Sequence, residues 1–586
     1  MISVLINWLY AFITMYILGR FVLKRLYKFF KYESVVTTAP AVVTGIVITT
    51  AYAGYFSLFH KVGVTANVVM IIVCILFFCV DREDYIIETK KLKSAKPWQY
   101  IVFALIVFVT AFFTMEGELF WDTGLYHCQT IRWIEEYGVV KGLVHVVKRL
   151  GYNSTFYCQC ALYSFKDIAG QSLHALAGFY SLLMMLYATF GINRKPGTDD
   201  DEVSRAKWRG LYAVRLFPFI YFILICSEIV SPASDYPLVN LIIFVTLRWF
   251  HNLANKEKSE TPYALLCVLI AFIVSVKLSV GALVLLVVAP AFWLIKRKKV
   301  RDIIAYLILG IVVSAPYFIR EVIISGWLIY PFTGIDLFNF DWKMAAKSVD
   351  ADANEMLVWC RGTEGNGSPD DSIRVWLKSW WDYIYLPQQQ IIVAAAISAG
   401  TAILAAIYRV IRVIIDTVTK KLKLAEALVK YSLEYTYVEF VIIACLIFWM
   451  VKGPGIRYGF GYLITMSVVM FADIIAHINK KSVTWFKGVI IIDCLLFWIP
   501  SLKSYFVWNY ECIRYRMEFN NFIMQEDYPI VPFKTAVIDD KLEVYYPEEE
   551  MGQIWYDMFP GVWCGDVDGI EMRGDRIEDG FREKQR

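Results

Sequence analysis

The chain has 586 residues, 58% of them hydrophobic and 19% charged, and its mean hydropathy is +0.51. A soluble protein of this length needs far more polar surface, so the composition excludes an ordinary globular enzyme and predicts a polytopic membrane protein. Lysine and arginine total 58 against 54 acidic residues, a net charge of +4 that gives no basis for a nucleic-acid partner.

Apolar runs of about 16 to 24 residues, near the length that crosses a hydrocarbon core of ~30 Å, recur along the chain. They predict about fourteen spans, at 2–22, 36–59, 64–80, 99–115, 172–192, 211–230, 236–250, 262–277, 279–295, 303–322, 391–408, 434–451, 458–477 and 486–503. Dividing 262–295 is hardest, because Lys277 alone interrupts a nearly continuous apolar run. Met1–Val22 has neither a basic leader nor a small-residue cleavage site and reads as an uncleaved first span. The 12 cysteines form no CxxC pair, so neither a zinc site nor a disulfide framework is implied.

Short basic loops stay in the cytoplasm. "GRFVLKRLYKFFK", "ETKKLKSAK", "IKRKKVR", "TKKLK" and "NKKS" all fall on one side when both termini lie outside. The expected fold is therefore an all-α polytopic membrane protein. Its 1–503 membrane domain carries outer insertions at 116–171 and 323–390. A small α+β or irregular outer domain follows over 504–586.

The most unusual outer stretch is "ELFWDTGLYHCQTIRWIEEYGVVKGL", Glu118 to Leu143. From Asp122 onward, Leu125, Cys128, Ile131 and Ile134 recur at helical spacing, joined by Trp133 and Tyr137. This predicts an amphipathic helix lying in the membrane interface, with Gly138 as its C-cap. Asp122 has two compatible readings: an N-cap accepting a backbone N–H, or a general base or metal ligand held at the membrane surface. Glu116, Glu118, Asp122 and His127 crowd twelve residues without basic partners. Such a cluster favours a cation or a hydroxyl to deprotonate, although His127 also suits a structural role.

Further along, "SPASDYP" sets Asp235 in a short outer loop, either a turn residue or a second carboxylate converging on Asp122. Arg457 in "KGPGIRYGFGY", Lys277 at the break in the long apolar run and Arg320 near a span end are candidate cations; each could equally snorkel to headgroups. The aromatics of "SGWLIYPF", Tyr330 among them, suit sugar stacking or interfacial anchoring. Asp493 is an isolated carboxylate inside the last span, expected to pair within the helix bundle.

The acidic residue in the first large outer loop, the following Tyr126 and the helix after them resemble the C-type-fold membrane glycosyltransferases. "WDTGLYHCQTIRWIEEYGVVKGL", "KRLGYNSTFY", "SPASDYP", "REVIISGWLIYPF", "GPGIRYGFGYL" and "MRGDRIEDGF" resemble more closely an uncharacterised bacterial family associated with surface polysaccharides. The chain departs from the glycosyltransferase pattern in having three extra spans before the acidic loop, and a single Asp where many relatives carry a pair.

That resemblance implies an enzyme of the bacterial cytoplasmic membrane that transfers a sugar from a polyprenyl-phosphate carrier to a glycan or lipid acceptor, by inversion. Asp122 would be its base. Glu118, Tyr126, His127, Asp235, Lys277, Arg320, Tyr330 and Arg457 would bind substrate. No metal ligand is assigned, and a divalent cation stays open as a cofactor. A flippase or exporter of lipid-linked saccharide, and a non-catalytic assembly protein, are the alternatives.

Overall fold

Long apolar runs in lipid satisfy their backbone only as helices, and helices dominate. The computed structural model describes the chain apart from residues 84, 86–94, 193–201, 363–366, 420, 478–483, 519–521, 550–551 and 585–586. The basic loops at 88–96 and 479–482, which carry part of the orientation argument, lie largely or wholly outside the described residues. Among the described residues, 11 helices are long and apolar enough to cross a membrane. Three shorter apolar helices, Val64–Val80, Leu176–Gly191 and Thr261–Val276, stand where the other spans were expected.

Burial separates centre from periphery. The helix Ile456–Ala476 has 89% of its most apolar window buried, whereas Val300–Ser325 has 17% and turns its apolar surface outward, as a lipid-facing helix must. The break in the long apolar run falls at Lys277, as expected. Its extended backbone (φ −158°, ψ 126°) ends Thr261–Val276 and begins a 3₁₀ stretch, Leu278–Val287.

Two helices exceed their expected bounds. Leu386–Val418 has 33 residues, roughly 50 Å at 1.5 Å per residue, because Arg409 and Asp416 find charged partners and need not end it. The last span continues through a π-helical turn, Cys494–Trp498, into Ile499–Arg516. The expected domain boundary at 503/504 therefore falls inside a helix.

The tail then forms two antiparallel hairpins. Strand β1 (Phe533–Ile538) pairs with β2 (Leu542–Pro547), and β3 (Ile570–Met572) pairs with β4 (Phe581–Glu583). This tail joins both insertions in one extramembrane lobe. Trp133 and Val144 from the first insertion, Trp327 from the second, and Ile538, Val562 and Phe581 from the tail are buried in a single core. Arg573 bonds Asp341 at 2.8 Å, and Trp380 donates to the Pro454 carbonyl at 2.6 Å. The N-terminal backbone meets the tail as well, Ile2 N–H bonding the Phe522 carbonyl at 3.1 Å. The segments expected on one side thus share one face.

One expectation is corrected. The amphipathic helix, Cys128–Tyr137, does not lie in a membrane interface: Ile131, Trp133 and Ile134 are each 1% exposed. Its polar side is covered by the tail. Gln129 donates to the carbonyls of Trp555 (2.6 Å) and Met558 (2.7 Å), Arg132 donates to the Tyr556 carbonyl (2.9 Å), and Glu135 accepts from Tyr556 and Ser172. Sequence amphipathicity was real, but the covering partner lay more than 400 residues away. Gly138 does end the helix, at φ 78°, a conformation that favours glycine, with the Ser57 carbonyl 2.5 Å from where a Cβ would stand.

Candidate functional site

Four charged side chains from four separate parts of the chain meet on the lobe face of the bundle. Asp122 follows the span that ends at Met115 and stands at the N-cap of a π-helical turn, Thr123–His127. Its carboxylate makes no capping bond; it pairs instead with the Arg457 guanidinium. Arg457 lies in the first turn of Ile456–Ala476, where the helix dipole disfavours a cation, so the neighbouring acid offsets a real cost. Asp235 opens the helix Asp235–Ala254 and Lys277 closes Thr261–Val276; the dipole favours both placements. Lys277 Nζ lies 2.5 Å from Asp235 Oδ1, and Arg457 Nε is 4.0 Å from Asp235 Oδ2.

Two acids and two bases therefore form a charge-balanced quartet, linked in the order Asp122–Arg457–Asp235–Lys277. Tyr458 frames it, its ring 3.8 Å from Lys277 Nζ and its hydroxyl 2.9 Å from Arg457 Nη2, while Phe120 stacks 4.0 Å from the guanidinium. The side chains of Arg457, Lys277 and Asp122 keep 24%, 22% and 19% exposure, so all three are partly accessible. Arg457 Nη1 is buried without a hydrogen-bond partner, so one donor of the fork is left unsatisfied.

Burial alone would raise the Asp122 carboxyl, but the charge of Arg457 outweighs it, helped by Lys277, and holds it below the usual carboxylate range. His127, behind Asp122, sits between the rings of Tyr126 (4.4 Å) and Tyr157 (5.5 Å). Burial depresses its imidazole to about 3, so it is neutral at physiological pH and contributes no charge to Asp122 there.

Asp122, Asp235, Lys277 and Arg457 thus converge, with Tyr126 and His127 beside them. Three predicted residues do not join them. Glu118 is exposed on the rim, its backbone N–H bonded to the Ser227 carbonyl at 3.1 Å. Arg320 is 2% exposed and clamps Ser57 Oγ (2.6 Å), Asn153 Oδ1 (3.0 Å) and the Gly138 carbonyl (3.4 Å); it is an internal brace, neither a phosphate ligand nor a snorkelling anchor. Tyr330 is 1% exposed in the lobe core, its ring 5.6 Å from that of Tyr152, and offers no open stacking platform. The glycines after Arg457 are closely packed. A Cβ at Gly459 would stand 2.5 Å from Trp449, and one at Gly461 2.9 Å from Ile242, so these positions serve helix packing.

A divalent cation does not fit. Both carboxylates are already neutralised by Arg457 and Lys277, and no group of three His, Cys, Asp or Glu among the described residues could hold a metal ion. Sequence reasoning missed Tyr157 and Tyr458, which carry no local motif, and Gln129, whose partners lie in the tail. A further miss was the buried charge in the bundle: Arg409, Glu439 and Asp473 interrupt apolar helices, a signal that was available. Asp493, expected to pair in the bundle, is buried with its Oδ1 lacking a hydrogen-bond partner.

Residues 1–464 match the model of a family described as a domain of unknown function, DUF8201. The chain belongs to this family. The matched region contains Asp122, Asp235, Lys277 and Arg457, while the hairpins that cover the Asp122 segment lie beyond it. No curated protein and no solved structure matches the chain.

Proposed function

We propose that the protein is a membrane glycosyltransferase that takes a sugar from a polyprenyl-phosphate donor on the outer face of the bacterial cytoplasmic membrane, in cell-surface glycan synthesis. The observation that carries this reading is the Asp122–Arg457 pair beside Asp235–Lys277. The donor brings a phosphate at bilayer depth, and two partly exposed cations, one with an unsatisfied guanidinium donor, suit it. The acceptor brings a hydroxyl that must lose a proton, and Asp122 is the carboxylate placed to take it.

The pairing also orders the events. While Arg457 holds Asp122, the carboxylate is a weak base. A phosphate engaging Arg457 loosens that pair and returns basicity to Asp122 as the donor arrives. The acceptor oxygen then bonds to the anomeric carbon from the face opposite the phosphate, and its proton passes to Asp122. The anomeric C–O bond breaks, and its electron pair leaves on the polyprenyl phosphate, whose charge Arg457 and Lys277 stabilise.

The test measures transfer from polyprenyl-phosphate hexose and pentose donors by purified protein in nanodiscs. Asp122→Asn, which keeps size but not basicity, is expected to abolish transfer while donor binding persists. A folded Asp122→Asn protein with wild-type transfer sinks the assignment. If no such donor binds wild type at all, the assembly alternative replaces it; donor binding without transfer favours the flippase or exporter.

A further inference from the structure

At the end of Ile456–Ala476 opposite Arg457, a second charged cluster lies inside the bundle. Asp473 on that helix pairs with Arg409 of Leu386–Val418, and Glu439 of Leu433–Lys452 stands 3.5 Å from the same guanidinium. Glu439 is 1% exposed and Asp473 2%. Both carboxylate oxygens of Glu439 and Oδ1 of Asp473 are buried without a hydrogen-bond partner, and Arg409 Nη1 donates to Thr436 at 2.9 Å.

His477, at the helix end, completes the set. Its Nδ1 lies 2.7 Å from the Asp473 carbonyl and 3.0 Å from Asp473 Oδ1, and Ser432 Oγ lies 2.8 Å from its Nε2. Among the described residues, Tyr435, the ion pair Lys207–Glu434 (2.6 Å) and Arg209, whose Nη2 donates to the Ala476 carbonyl at 3.2 Å, are the other titratable groups near the cluster.

Among the described residues, Arg409 thus faces two carboxylates, and Glu439 has no hydrogen-bond donor on either oxygen among apolar helices. A bare carboxylate with no donor is untenable there; it must bind a cation or a proton. Three acid or histidine groups in ligating geometry are not available for a metal ion among the described residues. We propose that Glu439 is a membrane-embedded proton-binding site, its carboxylic O–H shared with Asp473. The proton neutralises the cluster and ties together the three helices. Because Asp473 and Arg457 share one helix, roughly 24 Å apart at 1.5 Å per residue, the site is placed to couple protonation to the charged quartet. The proposal is independent of the transferase reading.

Infrared spectroscopy of the full chain in nanodiscs tests it. At pH 7 the wild-type minus Glu439→Gln difference spectrum is expected to show a protonated-carboxyl C=O component, and that component is retained in Asp493→Asn. Asp473→Asn should remove the component, because Glu439 then ionises against Arg409 alone. Glu439→Gln, a mimic of the neutral acid, should melt within about 2 °C of wild type. A spectrum unchanged by Glu439→Gln overturns the proposal. So does failure of that variant to fold, which marks Glu439 as an ionised partner of Arg409, and so does loss of the component from wild type when potassium is replaced by sodium, which marks a metal cation as the ligand.

Discussion

Asp122 and Arg457 close an ion pair across 335 positions of sequence, joining the first outer insertion to the most central helix of the bundle. Each is the other's compensation: the acid offsets a cation at a helix N-terminus, and the cation keeps the acid ionised in a recess. Phosphate binding has to compete with that contact, and this shapes the response to substitution.

Arg457→Ala is expected to slow transfer about a hundredfold, on the order of 3 kcal/mol for a lost transition-state donor. Arg457→Lys keeps the charge but not the two-pronged geometry and should fall between Ala and wild type. Transfer rate and polyprenyl-phosphate binding in nanodiscs check this for both variants. Equal rates for all three proteins would remove Arg457 from the site.

Glu116 supplies a pH prediction away from the quartet. Burial, then the nearby charge of Glu526, raises its carboxyl to about 7, against a weaker opposing pull from Arg516. A raised acid binds its proton more tightly folded than unfolded, so its contribution to stability is full below about pH 4.5 and is lost as pH rises through about 7. Wild-type melting temperature should therefore decline between those values, and Glu116→Gln should flatten the decline and melt higher than wild type at pH 8. Parallel curves for the two proteins would show that Glu116 is not the titrating group.

Much of the bundle was legible because span length and apolarity are local properties: Lys277 marked a true helix break from composition alone. Asp122, Asp235 and Arg457 were visible as charges at span ends, which lipid makes costly and therefore conspicuous. Arg320 and Tyr330 looked the same in sequence and proved to be packing residues, because burial within a protein lobe and exposure to a site share one local signature. The covered face of Cys128–Tyr137 was hidden for a related reason: its partners are backbone carbonyls of the tail, which have no side-chain pattern to read.

Surface labelling tests the shared face and its orientation. Lys141, Asp350 and Glu578 are exposed, one on each insertion and one on the tail. In a cysteine-free background, single cysteines at these positions should all react with an impermeant maleimide added to intact spheroplasts. The native Cys564, exposed on the tail, should react likewise when restored alone. Labelling of some but not all would contradict the common lobe, and protection of all four until lysis would invert the membrane orientation.

The tail's role in holding Asp122 gives the last prediction. Gln553 donates to the Trp121 carbonyl at 2.7 Å, Trp555 N–H bonds the Gly124 carbonyl at 3.0 Å, and Trp563 Nε1 bonds the Leu125 carbonyl at 3.1 Å. Gln553 packs so closely on Gly124 that a Cβ there would stand 2.6 Å from it. One residue past the π-helical turn, Cys128 N–H reaches the Thr123 carbonyl, and Gln129 then locks the following helix to the tail. The carbonyls freed by the wide turn thus find tail donors, and the carboxylate is aimed at Arg457 as a result. Gln129→Leu removes the amide and leaves two buried carbonyls without donors, each costing ~1–3 kcal/mol. The variant should melt lower and expose the tail to protease, with transfer falling through rate more than through donor affinity, since Arg457 and Lys277 sit on the bundle and stay in place. Unchanged protease sensitivity with full transfer would show that the tail caps the site without positioning it.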